Sequence, residues 1–116
     1  MIMMKVMFLA TEENKMHLMH ILLNANNYHE NGHEVAVVLE CGSPKLLVGI
    51  ADKSIKLPAF EKAMENGIID HACRACTANF SATEAAEKLG VPLKGGLNGH
   101  TDLLEFSSKR FEIISF

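Results

Sequence analysis

A chain of 116 residues that is 48% apolar and 22% charged has the composition of one soluble globular domain with a real hydrophobic core. A formal charge of −3 and two arginines, Arg74 and Arg110, leave no basic stripe to neutralise phosphates, which argues against a nucleic-acid partner. Every uncharged apolar run falls short of the ~20 residues of a membrane helix, so no membrane partner is expected either.

Residues 5–10 (KVMFLA) form a continuous apolar run, as expected of a strand covered on both faces. Residues 1–10 carry Lys5 in their middle and show no small-residue cleavage site, so a first strand is expected rather than a signal peptide, and the protein is placed in the cytoplasm. Thr11 is the expected cap of the next helix, with Glu12 and Glu13 in its first turn. Met16, Met19, Leu22 or Leu23, and Tyr28 then recur at helical spacing, and Asn31-Gly32 supplies the stop. Residues 35–39 (VAVVL) read as a second buried strand.

Ser43-Pro44 reads as a cap followed by a proline at the first helical position. Pro58 opens another helix, closed by Asn66-Gly67. Residues 68–70 then form a short third strand that ends at Cys73-Arg74-Ala75-Cys76, ahead of a helical stretch. Ser81 and Glu84 have the spacing of a capping box, Gly90 stops that helix, and Pro92 prevents its continuation. Residues 93–97 hold a short fourth strand, 101–110 a last helix and 111–116 (FEIISF) a final strand.

This alternation predicts an α/β fold: a three-layer α/β/α sandwich on a mostly parallel sheet of about five strands, flavodoxin- or Rossmann-like, with residues 1–116 as a single domain. Reactive groups in such sheets collect beyond the carboxyl ends of the strands. Thr11, Cys41-Gly42 and Cys73 follow the first three strands, so neighbouring strands would bring all three to one crevice.

A thiol where a strand meets a helix can be activated by the helix amides and dipole, which makes Cys73 the expected nucleophile. Cys76, one turn later, is placed to resolve a disulfide or persulfide on Cys73. His71, two residues before Cys73 on an extended segment, shares its side and could accept the thiol proton; a surface histidine at a strand end competes with that reading. Metal binding is a further alternative: His71, Cys41 or His100 would complete a tetrahedral set, although a second paired motif is missing. Inert buried thiols are another, and for Cys41 the favoured one.

His17 and His20 read as a solvated helix face, and His29 and His33 as partners of a helix C-terminus. Gly95, Gly96 and Gly99 match no phosphate-binding motif and read as a turn beside the active edge. The first loop lacks the glycine and hydroxyl density of a flavin-phosphate loop, so no cofactor is expected.

The ordered set of KVMFLATEEN, residues 31–35 running into VAVVLE, Cys41-Gly42 before a Leu-rich helix, residues 67–76 (GIIDHACRAC) and FEIISF resembles the DsrE/DsrF-like family of small sulfur-relay proteins over nearly the whole chain. The resemblance implies a persulfide carried on Cys73, a second family cysteine at Cys76, and homo-oligomers, often trimers or hexamers. The implied partners are a sulfur donor and an acceptor, either proteins or small thiols. The competing expectations are a non-catalytic oligomeric binding module and a C-x-x-C thiol-disulfide or metal-binding protein.

Overall fold

The apolar run becomes β1 (Lys5–Ala10) and the β-branched run β2 (Glu34–Leu39) in the computed structural model, which describes residues 2–115. Between them runs α1 (Lys15–Glu30), followed after β2 by α2 (Leu46–Asp52) and α3 (Pro58–Glu65). The chain continues through β3 (Ile69–Cys73), α4 (Arg74–Asn79), α5 (Thr83–Leu89), β4 (Leu93–Lys94), α6 (Leu104–Ser107) and β5 (Glu112–Ser115). The expected end of the last strand, Phe116, lies outside the described residues.

All five strands are parallel, in the order β4-β3-β2-β1-β5. Right-handed crossovers along β1, β2, β3 and β4 place the intervening helices on one face. There Leu18, Ile21, Leu22 and Ala25 of α1, Leu47 of α2, Phe60 and Ala63 of α3 and Ala86 of α5 close over Val6, Phe8, Ala10, Val37 and Leu39. The return from β4 to β5 crosses the other face, where a smaller cluster of Met7, Leu9, Ala36 and Val38 is covered by Phe106 of α6. The sandwich therefore has one thick and one thin helical layer. Alternate strand residues serve alternate faces, which explains why both strands are apolar at nearly every position.

Several local expectations are corrected. Asn14, not Thr11, caps α1, accepting from the His17 amide at 3.0 Å, and no acid sits in the first turn. The Thr11 carbonyl instead accepts from Gly42 N–H at 3.0 Å, which keeps residues 11–13 with the strand ends and delays the helix. Met16 and Leu23 face solvent; α1 has more apolar residues than one face can bury, and packing selects Leu18, Ile21, Leu22 and Ala25. The Ser43 hydroxyl donates to the carbonyls of Ala10 (2.7 Å) and Glu40 (3.1 Å), tying β1 to β2 instead of capping, and Pro44 opens a short 3-10 turn.

Ser81 does not form a capping box. It adopts a left-handed φ of 54° and ends α4, with Ser81 N–H bonded to Ala78 O and Ala82 N–H to Thr77 O. Gly32 (φ 89°) provides the same kind of stop to α1. The last helix shrinks to four residues because the Thr101 side chain is engaged elsewhere and the Asp102 carboxylate accepts from Leu104 N–H at 3.0 Å. β3 gains the residues through Cys73, with Ala72 N–H bonded to Pro92 O at 2.9 Å.

Phe8 is 2% exposed and meets Tyr28 edge-on at 5.4 Å between ring centroids. Phe8→Ala is expected to cost about 3–5 kcal/mol in a urea titration, the range for truncating a buried aromatic side chain; a loss below ~1 kcal/mol would contradict this packing.

Candidate functional site

β1, β2 and β3 are neighbours, so Thr11, Cys41-Gly42 and Cys73 do converge at the carboxyl edge of the sheet. Cys73 is the last residue of β3 and the cap of α4; its carbonyl accepts the Thr77 hydroxyl at 2.6 Å, which locks the strand-to-helix bend. Cys76 follows one turn later, and the two cysteines approach to 3.2 Å.

A loop closes over them. Asn98 (φ 50°) and Gly99 (φ 90°) form a two-residue turn, with Leu97 and His100 exchanging backbone hydrogen bonds of 3.0 and 2.8 Å. Paired positive φ values are the requirement that Asn-Gly meets most cheaply. Gly95 is also obligatory: a Cβ there would lie 2.4 Å from the Gly99 carbonyl oxygen.

The turn aims His100 Nδ1 at both thiols, 3.6 Å from Cys73 Sγ and 3.9 Å from Cys76 Sγ. Gly99 O lies 4.0 Å from Cys73 Sγ and accepts Ala75 N–H at 2.9 Å. That helix amide is therefore spent on the loop and not on the sulfur, contrary to the expectation that helix amides activate Cys73. Cys73 has no exposed surface, Cys76 is partly exposed, and Cys41 stands exposed at the rim. Cys41, Gly42, Ala75, Cys76, Asn79, Phe80 and His100 line an open cleft of about 520 Å³.

His71 is brought near the thiols but does not engage them. It is 2% exposed, with Nδ1 at 2.6 Å from the Asp70 carboxylate and Nε2 at 2.9 Å from the Thr101 hydroxyl. A carboxylate can only accept, so Nδ1 carries the proton, and a neutral ring then accepts the Thr101 hydroxyl proton at Nε2. The ring also stacks on Phe106 at 6.2 Å. His71 thus pins the residue that follows His100, and His100 occupies the place expected of His71. Asp70 also binds Lys94 Nζ at 3.1 Å. The Asn-Gly pair between Leu97 and His100 was the sequence signal for the hairpin that presents this imidazole.

Burial pushes the Cys76 thiol up to about 11, reinforced by its hydrogen bond with Cys73 and opposed by the backbone amide of Cys41. That amide is oriented by a left-handed Cys41, φ 56°. The Cys41 thiol is also raised, by burial first and then by Glu40 and Cys73. Asp70 is held below the usual carboxylate range, chiefly by the hydrogen bond from His71, against the opposing effect of burial. A larger cavity of about 630 Å³ lies among α2, α3 and α5, where Ile50, Ile55, Phe60 and Met64 line it with Lys53, Lys56 and Lys88. It shares no lining residue with the thiol cleft.

The fold and site define a parallel α/β sandwich protein with two adjacent thiols and an imidazole at the carboxyl edge of its sheet. No family model matches the chain. It is 30% identical over 118 residues to the uncharacterized protein MJ0733 of Methanocaldococcus jannaschii, covering 96% of this chain and 94% of that protein, and it belongs to the same family. The solved structure of the conserved protein of unknown function BT1422 from Bacteroides thetaiotaomicron shares the fold, with a TM-score of 0.76 at 22% identity over 97% of this chain and 94% of that one. Among the described residues, no helix is long and apolar enough to cross a membrane.

Two predictions test this geometry. The lowered Asp70 stabilises the fold when ionised; that contribution is complete above the unfolded value of ~3.9 and is lost as pH falls through the folded value. Asp70→Asn should therefore be less stable by about 1–2 kcal/mol at pH 7, with the gap to wild type narrowing below pH ~4 in chemical denaturation. In a Cys41→Ser background, alkylation of Cys76 should keep rising with pH well beyond 8.5, the ordinary thiol value of about that size. Adding Cys73→Ala should lower its midpoint, because a raising influence is removed; an unmoved midpoint would assign the rise to burial alone.

Proposed function

We propose that this protein relays sulfane sulfur, with Cys73 as the carrying thiol and Cys76 as its partner at the cleft. The carrying observation is two adjacent thiols, one buried and one facing the opening, with one imidazole nitrogen 3.6 and 3.9 Å from their sulfurs. The resemblance to the DsrE/DsrF-like sulfur-relay proteins supports the same reading.

His100 Nδ1 takes the Cys73 proton, and because Cys73 has no exposed surface, loading requires the exposed His100 side chain to swing aside. The Cys73 thiolate attacks the outer sulfur of a donor persulfide. A sulfur–sulfur bond forms to Cys73, the donor's own sulfur–sulfur bond breaks, and the donor leaves as a thiolate with the bonding pair. An acceptor thiolate then attacks the terminal sulfur of the Cys73 persulfide and regenerates the Cys73 thiolate, with no net oxidation. In the alternative outcome Cys76 attacks the inner sulfur. A Cys73–Cys76 disulfide forms, hydrosulfide leaves carrying the two electrons given up by the dithiol, and a thiol reductant must restore the pair. Cys76 keeps its proton near neutral pH, which makes it the slower thiol and prolongs the persulfide.

Intact-mass analysis after exposure to inorganic polysulfide should show a gain of one sulfur per chain that Cys73→Ser abolishes. Cys76→Ser should retain the gain and hold it longer, since the resolving thiol is gone. Full retention of the added sulfur in Cys73→Ser would remove Cys73 from the role of carrier.

A further inference from the structure

Cys73, Cys76 and His100 contribute two sulfurs and one imidazole nitrogen that all lie within 4.8 Å of one another. A zinc ion with ordinary bond lengths of ~2.3 Å to sulfur and ~2.0 Å to nitrogen sets tetrahedral edges of about 3.8 Å between sulfurs and about 3.5 Å between sulfur and nitrogen. The sulfur–nitrogen separations here are 3.6 and 3.9 Å, and all three donor atoms lie within 4.8 Å of one another, so they already stand roughly at the corners of one tetrahedral face.

Three elements hold these corners independently. Cys73 is fixed by the end of β3 and the Thr77 hydroxyl, Cys76 by α4, and His100 by the Asn98-Gly99 turn, anchored through Thr101 to buried His71. His100 presents Nδ1, which leaves Nε2 to carry the ring proton.

We propose that these three side chains form a binding site for a tetrahedral thiophilic cation, Zn2+ in the first instance, whose fourth position opens into the cleft beside Cys41, Asn79 and Phe80. Two thiols each release a proton to solvent, the neutral imidazole gives a lone pair, and the two thiolate charges balance those of the cation. No electron is transferred. Three protein ligands with an open fourth position are the pattern of reactive rather than purely structural zinc sites, and a thiolate or hydrosulfide is the class of ligand such a position would accept. This inference does not rest on sulfur relay. It adds a second occupant of the same thiols, and the cation and the persulfide exclude each other.

The test is titration of the reduced, metal-free protein with Co2+ as spectroscopic probe, followed by competition with Zn2+ against a chromogenic chelator. One ion per chain is expected, with thiolate-to-cobalt charge transfer and the visible bands of tetrahedral cobalt. Cys76→Ser should abolish the charge-transfer signature expected of two thiolates. His100→Ala, at an exposed position that poses little threat to folding, should weaken Zn2+ by about tenfold or more. Cys41→Ser should leave the affinity within about threefold, as a residue outside the coordination sphere at the rim. Cobalt spectra without thiolate charge transfer, or affinities unmoved by Cys76→Ser and His100→Ala, would overturn the site. A loss in Cys41→Ser as large as in Cys76→Ser would overturn the open fourth position. Sulfur loading of metal-free protein is read separately by mass, so failure of one proposal leaves the other to its own result.

Discussion

The site depends on a buried polar chain that spans two distant segments. Asp70 accepts from His71 at 2.6 Å, and His71 meets Thr101 at 2.9 Å. An imidazole with 2% exposure would be costly if either nitrogen lacked a partner. Both are satisfied, and the satisfaction specifies where the loop ends. The other anchor is the Ala75 amide on Gly99 O. Held between these points, the glycine-rich turn has one place to put His100, over the two thiols. A residue one step from the chemistry thus decides its geometry without touching sulfur.

The sheet supplies the frame for this arrangement. Parallel pairing of β1 with β2 and of β2 with β3 brings their carboxyl ends together, so Cys41 and Cys73 become neighbours. The Ser43 hydroxyl stitches the ends of β1 and β2 next to Cys41, which stands exposed at the rim. The reversal of strand order falls between β1 and β5, yet the thiols gather at β2 and β3. The usual preference for the reversal point is displaced because the connection leaving β3 carries the cysteines and the one leaving β4 carries the histidine.

Much of the frame was legible in the chain. Uninterrupted apolar runs marked β1 and β2, Pro58 marked the start of α3, and Asn-Gly or Gly stops marked the ends of α1, α3 and α5. Caps were less legible. Thr11, Ser43 and Ser81 each have the chemistry of a cap, but the Thr11 carbonyl accepts the Gly42 amide, the Ser43 hydroxyl goes to two carbonyls, and Ser81 serves as the left-handed stop of α4. For Thr11 and Ser43 this competition is invisible to spacing, because Gly42 and Ala10 reach them from another strand end.

At the site, Cys73 and Cys76 could be singled out from the motif and its place after a strand. The sequence by itself determined the parallel α/β architecture and the thiol pair, because hydrophobic period, turn chemistry and a C-x-x-C spacing act over a few neighbouring residues. The roles of the two histidines were decided by tertiary structure. His71 lies two residues from Cys73, yet its ring is taken by Asp70 and Thr101, whereas His100 lies 27 positions away and faces the sulfurs. Burial was decided the same way: Cys73 is sealed and Cys76 meets the cleft because a loop from beyond β4 folds back over the end of β3, and such long-range closure leaves no local signature.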